Sequence, residues 1–248
     1  MSTLEYILLF ASAIVGALAS SLVLKRQQNV LQFLLSFSGS YLLGITVLHL
    51  IPGIYASPVK GAGFFMLAGF LIQLFLEQLS RGVEHGHMHY HQGEGKIAMV
   101  LSVLAGLGLH AFIEGLPLDY YEEFHNHYHN HDHDHHGHNH FLWAIILHKI
   151  PAAFALMSLL KMGGFKNRLI WTAIVVFALM SPIGALLGGS LNLNDASRTQ
   201  IMALISGSLL HISTTILFEA DKSKEHRISL KKFITIIIGM SMAVLSIL

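Results

Sequence analysis

The stretch LHKIPAAFAL, residues 147–156, sits in an apolar run yet places a histidine, a lysine and a proline within four positions. In a bilayer each of these is costly: the proline breaks the helical ladder, and the ammonium must leave water. Composition settles that a bilayer is the setting. The 248 residues are 53% hydrophobic and 12% charged, with a mean hydropathy of +0.59. A soluble domain carries about 25% charged residues. The apolar residues fall in long blocks near the ~20 residues an α-helix needs to cross hydrocarbon. The chain reads as an all-α polytopic membrane protein forming a single domain over 1–248.

Eight apolar blocks are predicted to span: 4–24, 31–54, 62–79, 97–118, 141–160, 169–190, 200–219 and 230–248. The first carries ALAS, which resembles a cleavage site, but Glu5 precedes it and Lys25–Arg26 follow it. A signal peptide has its basic residues first, so this block is expected to stay as a helix. Lys and Arg gather in every second loop. Lys25 and Arg26 follow the first span, and Arg81 and Lys96 bracket the loop after the third. Lys161, Lys166 and Arg168 follow the fifth, and Lys222, Lys224, Arg227, Lys231 and Lys232 follow the seventh. Only Lys60 and Arg198 lie in the alternate loops, while Lys149 is inside a span. By the positive-inside rule both termini are expected outside, the 81–96 loop in the cytoplasm and the 119–140 loop beyond the membrane.

There is no cysteine, which excludes disulfides and thiolate metal sites. A formal net charge of +1 gives no argument for nucleic acid, and none is expected as a partner. The outlier is histidine: 18, against 15 Lys and Arg together.

Ionisable groups within spans must be paired or line a cavity. They are His49, His110, Glu114, His148, Lys149 and His211, with Glu77 and Glu219 near span ends. A lone membrane histidine often makes only an interhelical hydrogen bond; four on four helices beside a carboxylate suggest more. In HAFIEG, residues 110–115, His110 and Glu114 stand four apart on one helix face. Imidazole with carboxylate is a ligand pair for zinc and its neighbours, although a local His–Glu hydrogen bond would also satisfy both. Pro151 lacks an N–H and crowds the carbonyl of residue 147, so irregular backbone lining a polar path is expected beside His148. Lys149 needs a carboxylate, and Glu114 is the one at comparable depth; snorkelling elsewhere is the alternative. LHLIP, residues 48–52, repeats the pattern with His49 before Pro52, and SGSLLHIS, residues 206–213, sets His211 among small residues.

These residues resemble the ZIP (Zrt/Irt-like) family of divalent metal transporters. That family has eight spans, both termini outside and a metal site between its fourth and fifth helices. Its fourth-helix motif, roughly H-N-x-x-D/E-G, is matched by His110, Glu114 and Gly115. Of its fifth-helix motif, roughly H-E-x-P-H-E, His148 and Pro151 remain. LHLIP, the sixth-span SPIGALLG and the seventh-span SGSLLH are similar to their counterparts, so the resemblance covers nearly the whole chain. It implies a core metal site of His110, Glu114 and His148, with His49 and His211 as candidate relay or gate ligands.

The departures cluster. Many members hold two metals bridged by carboxylates, but here Ala111, Lys149, Ala152 and Ser181 stand where second-site ligands would be. The expectation is a degenerate second site, with the Lys149 ammonium in roughly the place of the second cation.

The outer loop holds nine histidines (His125, His127, His129, His131, His133, His135, His136, His138 and His140) with Asp119, Glu122, Glu123, Asp132 and Asp134. Such a tract suits a flexible collector of metal ions. His85, His87, His89 and His91 form a smaller cytoplasmic cluster suited to buffering. The resemblance implies import of zinc, with iron, manganese, cobalt, nickel and cadmium admitted by the same ligand chemistry. The expected setting is the plasma (inner) membrane of a bacterium, with metal ions and lipid as partners and a homodimer as a further expectation. Two rivals remain: a transport-impaired metal sensor on the same fold, and an intramembrane metal-dependent hydrolase. The hydrolase reading wants H-E-x-x-H, which does not occur, so no enzyme is expected.

Overall fold

The first helix begins on a reciprocal cap. Ser2 Oγ accepts from the Glu5 N–H at 3.4 Å, and Glu5 Oε2 accepts from the Ser2 N–H at 2.7 Å. The computed structural model describes residues 1–23, 27–83, 96–122, 140–219 and 229–247. Among these it contains eight helices long and apolar enough to cross a membrane, and no strand. They are α1 (Thr3–Leu22), α2 (Gln28–Ala56), α3 (Ala62–Ser80), α4 (Lys96–Gly115), α5 (His140–Met162), α6 (Asn167–Ser190), α7 (Asp195–Glu219) and α8 (Leu230–Ile247). Each lies over a predicted block. The largest displacement is at α7, which starts five residues early, at Asp195. Its first turn is polar and invisible to a hydropathy reading.

The LHKIPAAFAL helix is the centre of the bundle. From Phe141 to Leu160, α5 is buried apart from Trp143, Leu147 and Ile150, and it packs on α1 and α2. Around it α3 packs on α7, α4 on α6 and α2 on α8. Without a hydrophobic force between helices in lipid, small residues that let backbones approach hold such pairs together. A Cβ on Gly69 of α3 would strike the Leu204 carbonyl, and one on Gly207 of α7 would strike that of Met66. Gly115 of α4 and Gly184 of α6 interlock in the same way, against the carbonyls of Ser181 and Phe112. The outer faces of α3 and α8 expose Phe64, Leu71, Phe75, Ile234, Ile238 and Leu245, as lipid-facing helices do.

The two proline motifs fold differently. Irregular backbone was expected at Pro151, yet α5 continues as α-helix through it. The break comes in α2, where Thr46–Leu50 forms a π-helical turn that ends two residues before Pro52. A π turn inserts an extra residue and widens the helix, which relieves crowding by a proline ring. In α5 that widening is blocked: the Ile150 carbonyl lies against Gly16 of α1, where even a methyl group would collide.

The amino group of Met1 donates to Asp119 Oδ1 at 2.6 Å, and this contact raises the pKa of the amine. Arg198 lies over the Tyr120 ring at 5.5 Å. Met1, the end of α4 and the start of α7 therefore share one end of the bundle. At the other end, Lys161 donates to Ser21 Oγ at 3.0 Å, joining α5 to α1.

Candidate metal-binding site

Residues from three helices converge beneath the Met1 end. His110 and Glu114 occupy one face of α4, with Nε2 and Oε2 3.2 Å apart and both side chains nearly inaccessible. His148 on α5 lies eight residues, about 12 Å of helix, below His140. Its ring stands edge-on to that of His110, with centroids 6.0 Å apart and an interplanar angle of 80°. Imidazole nitrogens bind zinc at about 2.0–2.1 Å, which places the centroids of two ligating rings roughly 5 Å apart. The observed pair is somewhat wider. Among the described residues no group of three or more histidine or carboxylate side chains is already closed around an ion position. Binding at this site therefore requires the two imidazoles to draw together over Glu114.

The other oxygen of Glu114 faces a different partner. Ser181 of α6 donates to Glu114 Oε1 at 3.4 Å, and Lys149 Nζ donates to Ser181 Oγ at 2.5 Å. The ammonium also sits 5.4 Å from the centre of the Phe177 ring, a cation–π distance. Lys149 is 1% exposed. The link expected between lysine and carboxylate thus runs through a serine hydroxyl. That serine is held there by the interlock of α4 and α6, since the Ser181 carbonyl packs on Gly115, the neighbour of Glu114. The carboxylate divides the site: imidazoles on one side, an ammonium on the other.

His49 and His211 lie elsewhere. On the π turn of α2, the ring of His49 is 5.7 Å from that of His140 and 6.2 Å from that of Tyr121. This cluster is at the Met1 end, where His140, the last histidine of the 119–140 tract, meets the second span. Burial pushes the Tyr120 and Tyr121 hydroxyls above the ordinary phenol range, so both stay neutral. His211 on α7 makes a 2.6 Å contact from Nε2 to Glu77 Oε2 of α3, and its ring abuts Phe70 at 4.6 Å. One turn away, Ser208 donates to Gln73 Oε1 at 2.9 Å. Sequence reading placed Glu77 only near a span end and missed this pairing, because its partner lies 134 residues away with no local signal. The expected ligands His85, His87, His89, His91 and His125 to His138 lie outside the described residues.

A sequence profile described as ZIP zinc transporter matches residues 84–246. The protein zntD of Dictyostelium discoideum is 27% identical over 182 residues, covering 67% of this chain and 25% of that protein. The zinc transporter ZIP9 of Micropogonias undulatus is 27% identical over 161 residues, covering 61% of this chain and 49% of that protein. The chain thus spans about a quarter to a half of the length of these relatives.

Proposed function

The chain belongs to the ZIP zinc transporter family, and from that premise we propose that it carries zinc, or a related divalent cation, through one metal site. His110, Glu114 and His148 are its ligands. The observation that carries this reading is the division at Glu114: Oε2 beside an imidazole, Oε1 linked through Ser181 to the Lys149 ammonium.

An isolated carboxylate in a bilayer is expensive, and a buried charge persists only when it is compensated. Lys149 supplies that compensation through Ser181, one ammonium for one carboxylate. An arriving dication meets two imidazoles and that carboxylate. The second metal of other family members is replaced by one fixed positive charge, which also repels a second dication.

The His49–His140 contact gives metal a mouth leading from the outer histidine tract towards the core, with the Tyr121 ring 6.2 Å from His49. His211 fits a gate better than a relay, because Glu77 holds it across the α3–α7 interface. Inward direction rests on the family resemblance, the loop charges orient the spans, and a bacterial inner-membrane setting belongs to the same proposal. The coordination chemistry admits iron(II), manganese, cobalt, nickel and cadmium beside zinc.

A sensor without flux is the second reading, favoured by one feature: the 2.5 Å Lys149–Ser181 bond ties α5 to α6. Metal flux into liposomes containing the purified protein separates the two. Zinc accumulation that is lost in Glu114→Ala supports transport. Zinc binding without flux, with flux restored by Lys149→Ala, supports the sensor.

A further inference from the structure

The end of the bundle opposite Met1 holds a cavity of about 260 Å³ that the metal path does not use. Its α2 wall is Asn29, Gln32, Phe33 and Ser36, one stripe of helix; its α8 wall is Ser229, Lys231 and Lys232. Small-molecule sites run from roughly 300 to 1,000 Å³, so this volume suits a headgroup and not a whole drug-sized ligand. Among the described residues the lining has two lysines, four neutral hydrogen-bonding side chains and no carboxylate. That donor set excludes a cation and selects an anion.

Two further observations point the same way. Ser36 is 1% exposed, and its Oγ has no hydrogen-bond partner among the described residues. A buried serine hydroxyl on a helix ordinarily bonds a backbone carbonyl one turn back, so an orphaned one facing a cavity marks a place for an acceptor. The cavity also lies at the N-terminus of the 18-residue α8, where Ser229 Oγ accepts the Lys232 N–H at 3.3 Å and the positive end of the helix still favours negative charge. Lys232 is fixed there by donating from Nζ to the Leu217 carbonyl at 2.9 Å, which caps the end of α7. Lys231 is exposed beside it.

What distinguishes a lipid from a free anion is the surface that leads away from the cavity. Leu230, Phe233, Ile234 and Ile237 form a continuous exposed stripe down α8, and Phe33 of α2 is exposed at the cavity wall. A polar, basic pocket at the head of an exposed apolar stripe matches a phosphate joined to acyl chains.

We propose that this pocket binds the phosphate of an anionic phospholipid. The phosphate lies between Lys231, Lys232 and the Ser36 hydroxyl, and the chains lie along α8. Occupancy would fasten α2 to α8 from the lipid side. This does not depend on the metal reading.

The test is native mass spectrometry of the full chain released from bilayers of phosphatidylcholine mixed with phosphatidylglycerol. The expected result is one phosphatidylglycerol retained per chain in preference to phosphatidylcholine. Retention should fall about fivefold in Lys231→Gln, the effect of one surface lysine on an anionic lipid. It should fall about threefold in Ser36→Ala, as for one hydrogen bond. Circular dichroism of both variants checks that the helices are intact. Equal retention of the two lipids, or unchanged retention in both folded variants, overturns the proposal. Displacement of phosphatidylglycerol by an equal concentration of inorganic phosphate assigns the pocket to the free anion and overturns the lipid.

Discussion

Among the described residues two histidine–glutamate pairs stand inside the bundle, and they are built differently. His110 and Glu114 share α4, stand 3.2 Å apart and have further polar groups converging on them from α5 and α6. His211 and Glu77 bridge α7 and α3 at 2.6 Å, closed in by Phe70 and flanked by the Ser208–Gln73 bond. The first pair is loose and surrounded by potential ligands. The second is tight and sits where Gly69 and Gly207 bring two backbones into contact. A pair intended for a metal must be free to exchange its partner; a pair intended as a clamp is satisfied once and held.

The comparison fails first if both pairs respond alike to removal of the carboxylate. Glu114→Ala is expected to lower zinc flux by more than about 100-fold, beyond the 10–100-fold typical of losing a group that only supports a ligand. Glu77→Ala should instead act on thermal stability, with zinc affinity at the core unchanged. Comparable loss of zinc affinity in both would erase the distinction.

Next in size is the charge balance. Glu114→Gln leaves the Lys149 ammonium buried without its counter-charge, a change expected to cost about 3–5 kcal/mol. Adding Lys149→Met should recover most of that stability while zinc binding stays lost. A thermal-shift cycle over the two singles and the double measures the coupling. Additive losses would mean that Lys149 does not compensate Glu114.

At the clamp, Glu77→Gln keeps a hydrogen-bonding group for His211 and should cost about 1 kcal/mol, the loss of the charge-assisted part of the bond, and spare metal selectivity. The smallest expected effect is at the mouth. His49→Ala and His140→Ala should each raise the half-saturating zinc concentration a few-fold without altering the maximal rate, and the double variant should be no worse than either single. Flux titrations decide it.

The spans were legible because a bilayer forces long apolar runs, and His110 with Glu114 was legible because helical periodicity alone places residues four apart together. Other features needed contacts that no local pattern encodes. HLIP and HKIP are nearly the same text, yet only the first carries a π turn; at the second the α1 backbone packs at Gly16 directly on the Ile150 carbonyl and leaves no room to widen. Ser181 was read as a missing acid; folded, it is the hydroxyl through which Lys149 reaches Glu114. The Glu77–His211 and His49–His140 contacts join residues far apart in the chain, and only helix packing reveals them.

The central claim, that one metal and one fixed ammonium replace two metals, is tested most directly by anomalous scattering at the zinc edge from zinc-soaked crystals. One peak between α4 and α5, ligated by His110, Glu114 and His148 with Lys149 on the far side of the carboxylate, is the predicted result. A second peak beside Lys149, on the Ser181 side of Glu114, would contradict it.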